Sequence, residues 1–116
     1  CAVDDTTLCL NNGRFRVRAE WGLEGDEPAA AQGTDFTDDG GFFWFFDPGN
    51  PELFVKVLDA CAPPFEHYWV FLAGLTNVAT HIEVTDTLTG ERRVYDKEDG
   101  VDFQSIYDTT AFPDCP

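Results

Sequence analysis

Gly41-Phe42-Phe43-Trp44-Phe45-Phe46-Asp47-Pro48 sets five consecutive aromatic residues between Gly40-Gly41 and Pro48-Gly49. A β-strand sends alternate side chains to opposite faces. Phe42, Trp44 and Phe46 therefore share one face, and Phe43 and Phe45 the other. Both sets are large and apolar, so the strand must be covered on both sides or leave an adhesive patch in water. The pattern predicts the central strand of a small β-sandwich.

The segments around it extend that expectation. Asn11-Asn12-Gly13 is a turn signal, and Arg14-Phe15-Arg16-Val17-Arg18-Ala19-Glu20-Trp21 follows with period two. Phe15, Val17, Ala19 and Trp21 are expected inside; Arg14, Arg16, Arg18 and Glu20 are expected in water. Three of the seven basic residues thus line one outward face. That stripe either docks an anionic partner or pairs with carboxylates on a neighbouring strand, and in so acidic a chain the second reading is preferred.

Residues 22–40 read as a long loop. Pro28 and Gly33 leave Ala29-Ala30-Ala31 no length for a helix, and a loop of this size in a compact domain is usually functional or mobile. Beyond the aromatic block, strands are expected over Glu52–Asp59, His67–Ala73, Ala79–Thr85, Glu91–Tyr95 and, more weakly, near Phe103–Tyr107. Gly90 is able to take the positive φ of a hairpin bulge. Lys56, between apolar neighbours, fits either a snorkelling lysine or an isopeptide cross-link, and the first is far commoner. With six to seven short strands and no helix, the predicted fold is a single-domain antiparallel β-sandwich over 1–116, Ig-like or meander-type.

Size and charge narrow the functions. A chain of 116 residues makes one domain with a sizeable core. Its 22 acidic residues against seven Lys and Arg give a net charge of −15. That charge repels phosphate backbones and anionic bilayers, which excludes nucleic acid as a partner. No apolar run is long enough to insert into a membrane. The four cysteines, Cys1, Cys9, Cys61 and Cys115, are scattered without a C-x-x-C pair, and with two histidines they suit disulfides in an oxidising compartment better than zinc. Cys1 at the start of the chain also fits an acylated lipoprotein cysteine, but three cysteines would then be left. In a meander Cys9 and Cys61 fall at opposite ends of a sheet, so Cys1–Cys9 with Cys61–Cys115 is the preferred pairing.

No catalytic set stands out. Ser105 is the only serine, and it lies in no strained strand-to-helix turn; His67 and His81 have ordinary strand contexts. Paired carboxylates for glycoside hydrolysis are numerous, but no cleft is expected in so small a sandwich. Two acidic turns, Asp35, Asp38 and Asp39 before Gly40 and Asp96, Glu98 and Asp99 before Gly100, are candidates for calcium. Neither has EF-hand spacing, and turn aspartates usually bond their own backbone. Trp21, Trp44, Trp69 and Tyr68 are candidates for a stacking platform for sugars or a hot-spot patch for a protein, although aromatic residues in strands are more often core.

Leu8-Cys9-Leu10-Asn11-Asn12-Gly13-Arg14-Phe15-Arg16-Val17, the Gly41–Pro48 block, Val55-Lys56-Val57-Leu58-Asp59, Tyr68-Trp69-Val70-Phe71 and Leu75-Thr76-Asn77-Val78 together resemble a module that recurs in secreted or surface proteins of environmental bacteria, often near the end of larger chains. The Val84–Glu91 hairpin and the Asp108–Cys115 tail fit the same module, so the resemblance spans nearly the whole chain. It implies a bacterial, extracellular or cell-surface location and modular use. It implies no activity, and no functional residue carries across. The expected function is a non-catalytic interaction, adhesion or assembly module whose partner is a protein, a glycan or a second copy. The alternative is a small secreted hydrolase or protease inhibitor that docks through residues 22–40.

Overall fold

A computed structural model describes all residues from Cys1 to Pro116. It is an all-β sandwich of two antiparallel sheets joined by a common core. The first sheet holds β1 (Leu8–Leu10), β2 (Phe15–Gly22), β3 (Ala29–Ala30), β8 (Ala79–Asp86) and β9 (Arg92–Lys97). β2 pairs with β8 along its whole length, while β1 and β3 share its opposite edge. The second sheet runs β10-β7-β6-β5-β4, from β10 (Ile106–Phe112) through β7 (His67–Gly74), β6 (Pro51–Ala60) and β5 (Gly40–Trp44) to β4 (Gln32–Thr37). β4 to β7 form a local meander, and the chain then crosses to the first sheet before β10 returns to pair with β7.

Ten strands replace the expected six to seven. The difference lies mainly in residues 22–40, which contain β3 and β4 and are therefore not one long loop. Gln32–Thr37 holds a single apolar side chain, Phe36, so no alternation marks it. It becomes a strand because β5 offers it a ladder, from Gln32 opposite Trp44 to Thr37 opposite Gly40. The central strand is β6, with β5 one place from the edge. β5 also stops at Trp44, so Phe45 and Phe46 turn off the sheet.

The core comes from the inward parity of both sheets. Phe15, Val17, Ile82 and Val84 of the first sheet and Phe43, Leu53, Val55, Val57 and Val70 of the second are each at most 1% exposed. At Gly41 the two sheets come into close contact. A Cβ there would lie 2.8 Å from the Thr34 carbonyl oxygen and 2.9 Å from a Leu8 methyl of the opposite sheet. Disulfides join Cys1 to Cys9 and Cys61 to Cys115. The second spans 54 residues and ties the end of β6 to the C-terminal tail. No helix is long and apolar enough to cross a membrane, and the disulfides fit an oxidising compartment.

Arg14 departs from the expected outward stripe. It precedes β2 and turns across the end of the sandwich, where Nε and Nη2 donate to the two Asp86 carboxylate oxygens at 3.0 and 2.9 Å. Nη2 also donates to the Asp114 carbonyl, and the guanidinium lies 4.8 Å from the centre of the Tyr68 ring. One side chain therefore links β8, β7 and the C-terminal tail. Its carboxylate partner is fully buried, and only a bidentate, charge-assisted pair holds an Asp in that position without a large penalty.

Candidate functional site

The outward parity of the second sheet is where this protein departs from an ordinary sandwich. On β7, Tyr68, Val70 and Leu72 point into the core, which leaves Trp69 and Phe71 outward. Trp69 stacks on Phe71 with ring centres 5.7 Å apart and planes 18° apart. Phe71 meets the Tyr107 ring of β10 edge-on at 5.0 Å, and Phe65 meets Trp69 edge-on at 5.1 Å. Four rings thus form a continuous row. Cross-strand pairing accounts for its width, since Phe71 lies opposite Lys56 on one side and Tyr107 on the other.

A second group sits toward β4. Phe42 and Phe54 are cross-strand partners with ring centres 6.1 Å apart. Together with Phe36 and Lys56 they border a groove of about 320 Å³. Gly40 opposite Lys56 leaves its floor open: a Cβ there would lie 3.1 Å from the Val55 carbonyl oxygen and 3.2 Å from Lys56 Cγ. Lys56 stands between the two aromatic groups, exposed, with no carboxylate within ion-pair distance. This is the snorkelling geometry rather than that of a buried cross-link.

Outward positions on these strands hold no solvent-exposed carboxylate. They are Gln32 and Thr34 on β4, Phe42 and Trp44 on β5, Phe54, Lys56 and Leu58 on β6, and the rings of β7 and β10. Glu52, at the bulge where β6 meets β5, is buried and accepts a hydrogen bond from Asn50. Asp108 faces inward and accepts the Tyr95 hydroxyl at 2.7 Å; burial, then that carboxylate, raises the Tyr95 pKa. Asp39 borders the groove from the hairpin tip, where it accepts the Thr37 hydroxyl.

The stacking candidates separate into two pairs. Trp44 and Trp69 are outward on the aromatic sheet. Trp21 instead lies against Phe45 between the sheets, 5.5 Å centre to centre and nearly parallel, and Tyr68 is 5% exposed. Sequence reasoning did not single out Phe42, Phe54, Phe71 or Tyr107 for this site. The doubly apolar strands carried that signal, but alternation cannot say which parity faces water when both are apolar.

The acidic turns are spread among separate local bonds. Asp38 accepts the Asn12 N–H, Asp99 accepts the Glu24 N–H, and Asp96 accepts from His81 Nδ1 at 2.5 Å. No three His, Cys, Asp or Glu side chains converge as metal ligands. Both edges of the aromatic sheet are irregular, with β-bulges in β4 between Asp35 and Thr37 and in β10 between Asp108 and Phe112. Bulged edges resist the addition of another strand. No family model, curated protein or solved structure matches this chain.

Proposed function

We propose that the protein is a secreted, non-catalytic binding module of a bacterial cell surface or matrix, and that its contact surface is the outer face of the β4-β5-β6-β7-β10 sheet. The observation that carries this reading is the exposed aromatic face itself. Phe54, Phe65 and Tyr107 are 43%, 54% and 68% exposed, and Phe36 at the groove is 81% exposed. Monomeric proteins seldom leave several large rings clustered on one face in water unless that face meets a partner. The bulged edges favour docking on the face over assembly by strand addition.

The test compares the native chain with a Phe54→Ser/Tyr107→Ser variant. Both are fluorescently labelled and applied to intact bacteria and to isolated extracellular matrix, with sedimentation run in parallel for self-association. The expected result is saturable attachment, or reversible self-association, by the native chain and loss of it in the variant at unchanged melting temperature. Equal behaviour of the two proteins would show that the face is not the contact surface.

A further inference from the structure

Resting on that reading, we infer that the aromatic face takes a neutral polysaccharide, laid across the strands from the Trp69–Phe71–Tyr107 row toward the Phe36–Phe42–Phe54 groove. Charge selects the chemical class. A chain of net charge −15 repels polyanions, so a uronic-acid or sulfated polymer is disfavoured despite Lys56. A basic partner would be drawn to the many exposed carboxylates elsewhere; on this face the one carboxylate at the groove is Asp39, at its border and engaged by the Thr37 hydroxyl. An uncharged partner meets no opposing field here.

Shape separates a glycan from a second copy or a protein knob. In a two-fold dimer centred on this face, Lys56 of each copy would approach the other, burying two like charges. Protein hot spots seat side chains in enclosed, desolvated pockets, whereas Trp69, Phe71 and Tyr107 form an open row on a sheet. A pyranose ring presents a face of C–H groups, which the electron-rich face of an indole, phenyl or phenol ring attracts, and a rim of hydroxyls that remain wet. The sheet offers matching polar partners beside the rings: the Lys56 ammonium, the Gln32 and Thr34 side chains on the outward positions of β4, and the exposed Tyr107 hydroxyl. Across five strands the face extends about 19 Å, enough for several sugar units.

The probes are soluble β-glucan, xylan, galactomannan and starch, insoluble cellulose and chitin, and polygalacturonate as the charged control. Binding is followed by retardation in polysaccharide-containing native gels, by pull-down, and by the tryptophan fluorescence of Trp44 and Trp69. At least one neutral polymer should bind saturably, with an affinity that high salt leaves unchanged. Tyr107→Ala and Phe54→Ala should each weaken it about tenfold or less and Trp69→Ala more, because an indole offers the largest stacking face. Melting curves identify any variant that loses binding through unfolding; Tyr107→Ala, at an exposed position, keeps the test valid if Trp69→Ala does not fold. Absence of binding across the neutral panel overturns the inference, as does preference for polygalacturonate or binding that the ring variants leave intact. If the native chain then self-associates or holds a protein ligand in a Tyr107-dependent way, the glycan assignment falls while the interaction face stands. If the face variants alter no binding and no association, both fall.

Discussion

The two sheets meet water in opposite ways. Outside the first sheet lie Arg16, Arg18, Glu20, His81, Glu83, Arg92 and Asp96, and most of these side chains already have partners within the molecule. Arg92 reaches Glu83 at 3.2 Å, His81 lies between Asp96 and Glu83 at 2.5 and 3.3 Å, and Arg18 donates to Thr7. Outside the second sheet the side chains are mostly rings, with Gln32, Thr34 and Leu58 beside them, and Lys56 is unpaired. Both faces belong to one sandwich and cover one core, so the requirements of folding do not explain the contrast. The charged face is satisfied largely by its own residues, whereas the aromatic face leaves Phe54, Phe65 and Tyr107 uncovered in water. Substitutions on the first should therefore register in stability, and those on the second mainly in binding.

The largest expected effect comes from the charge that the first sheet sends inward. Asp86→Ala leaves the Arg14 guanidinium without its bidentate partner and should cost about 3–5 kcal/mol, measured by urea unfolding at neutral pH. Burial alone would raise the Asp86 pKa, but hydrogen bonds from Arg14 and the Leu88 N–H bring it below the ordinary value. Its contribution is therefore fully present above the unfolded carboxylate pKa of about 4. It fades as pH falls through the lower folded value. The native protein should lose stability on the acid side of that window, and Asp86→Ala should show a flatter acid limb. A cost below 1 kcal/mol would mean that the pair is incidental.

Much of this contrast was legible in the sequence, but unevenly. Phe15–Trp21 alternates so cleanly that β2 and its inward residues follow from period two alone. That parity already placed Trp21 inside, against its candidacy for an exposed platform. Gly41–Trp44 and His67–Ala73 announced strands through their aromatic content, yet gave no orientation because both parities are apolar; register against Leu53, Val55 and Val57 decides it. β4 was illegible because an edge strand is held by its neighbour's ladder and needs no apolar face of its own. Arg14 broke the pattern because it stands just before the strand, where the chain is free to turn toward Asp86, a partner 72 residues away. The pairing of Cys61 with Cys115 followed from topology, which sets Cys9 and Cys61 at opposite ends of a sheet, and the structure holds it.

On the aromatic face the expected stability changes are smaller. Phe54→Ala and Tyr107→Ala each remove an exposed ring that packs mainly on one neighbour, Phe42 and Phe71 respectively. Each should cost about 1 kcal/mol or less while weakening attachment to the partner. Lys56→Glu sharpens the comparison further. It puts the first carboxylate on the outward strand positions, changes no packed core residue, and should move stability by about 0.5 kcal/mol at most. If either ring variant instead destabilised the fold as much as Asp86→Ala, the rings would be structural, and the distinction between the two faces would collapse.

The smallest effects belong to the exposed ion pairs of the first sheet. Desolvation opposes charge on His81, but hydrogen bonds to Asp96 and then Glu83 prevail and raise its pKa. A raised histidine stabilises the fold fully below its unfolded value of about 6.5 and loses that contribution as pH rises through the folded value. The His81 side chain is 37% exposed, and solvent screening limits the effect to about 1 kcal/mol. Native protein should therefore melt slightly lower at mildly alkaline than at mildly acidic pH, and His81→Gln should remove that slope. Arg92→Ala, which releases Glu83 at a still more exposed position, should cost about 0.5 kcal/mol or less, and high salt should shrink the difference. Because these pairs lie on the opposite side of the sandwich from Phe71 and Tyr107, neither substitution should alter attachment. A loss of binding in His81→Gln or Arg92→Ala at unchanged stability would move the contact surface to the charged sheet.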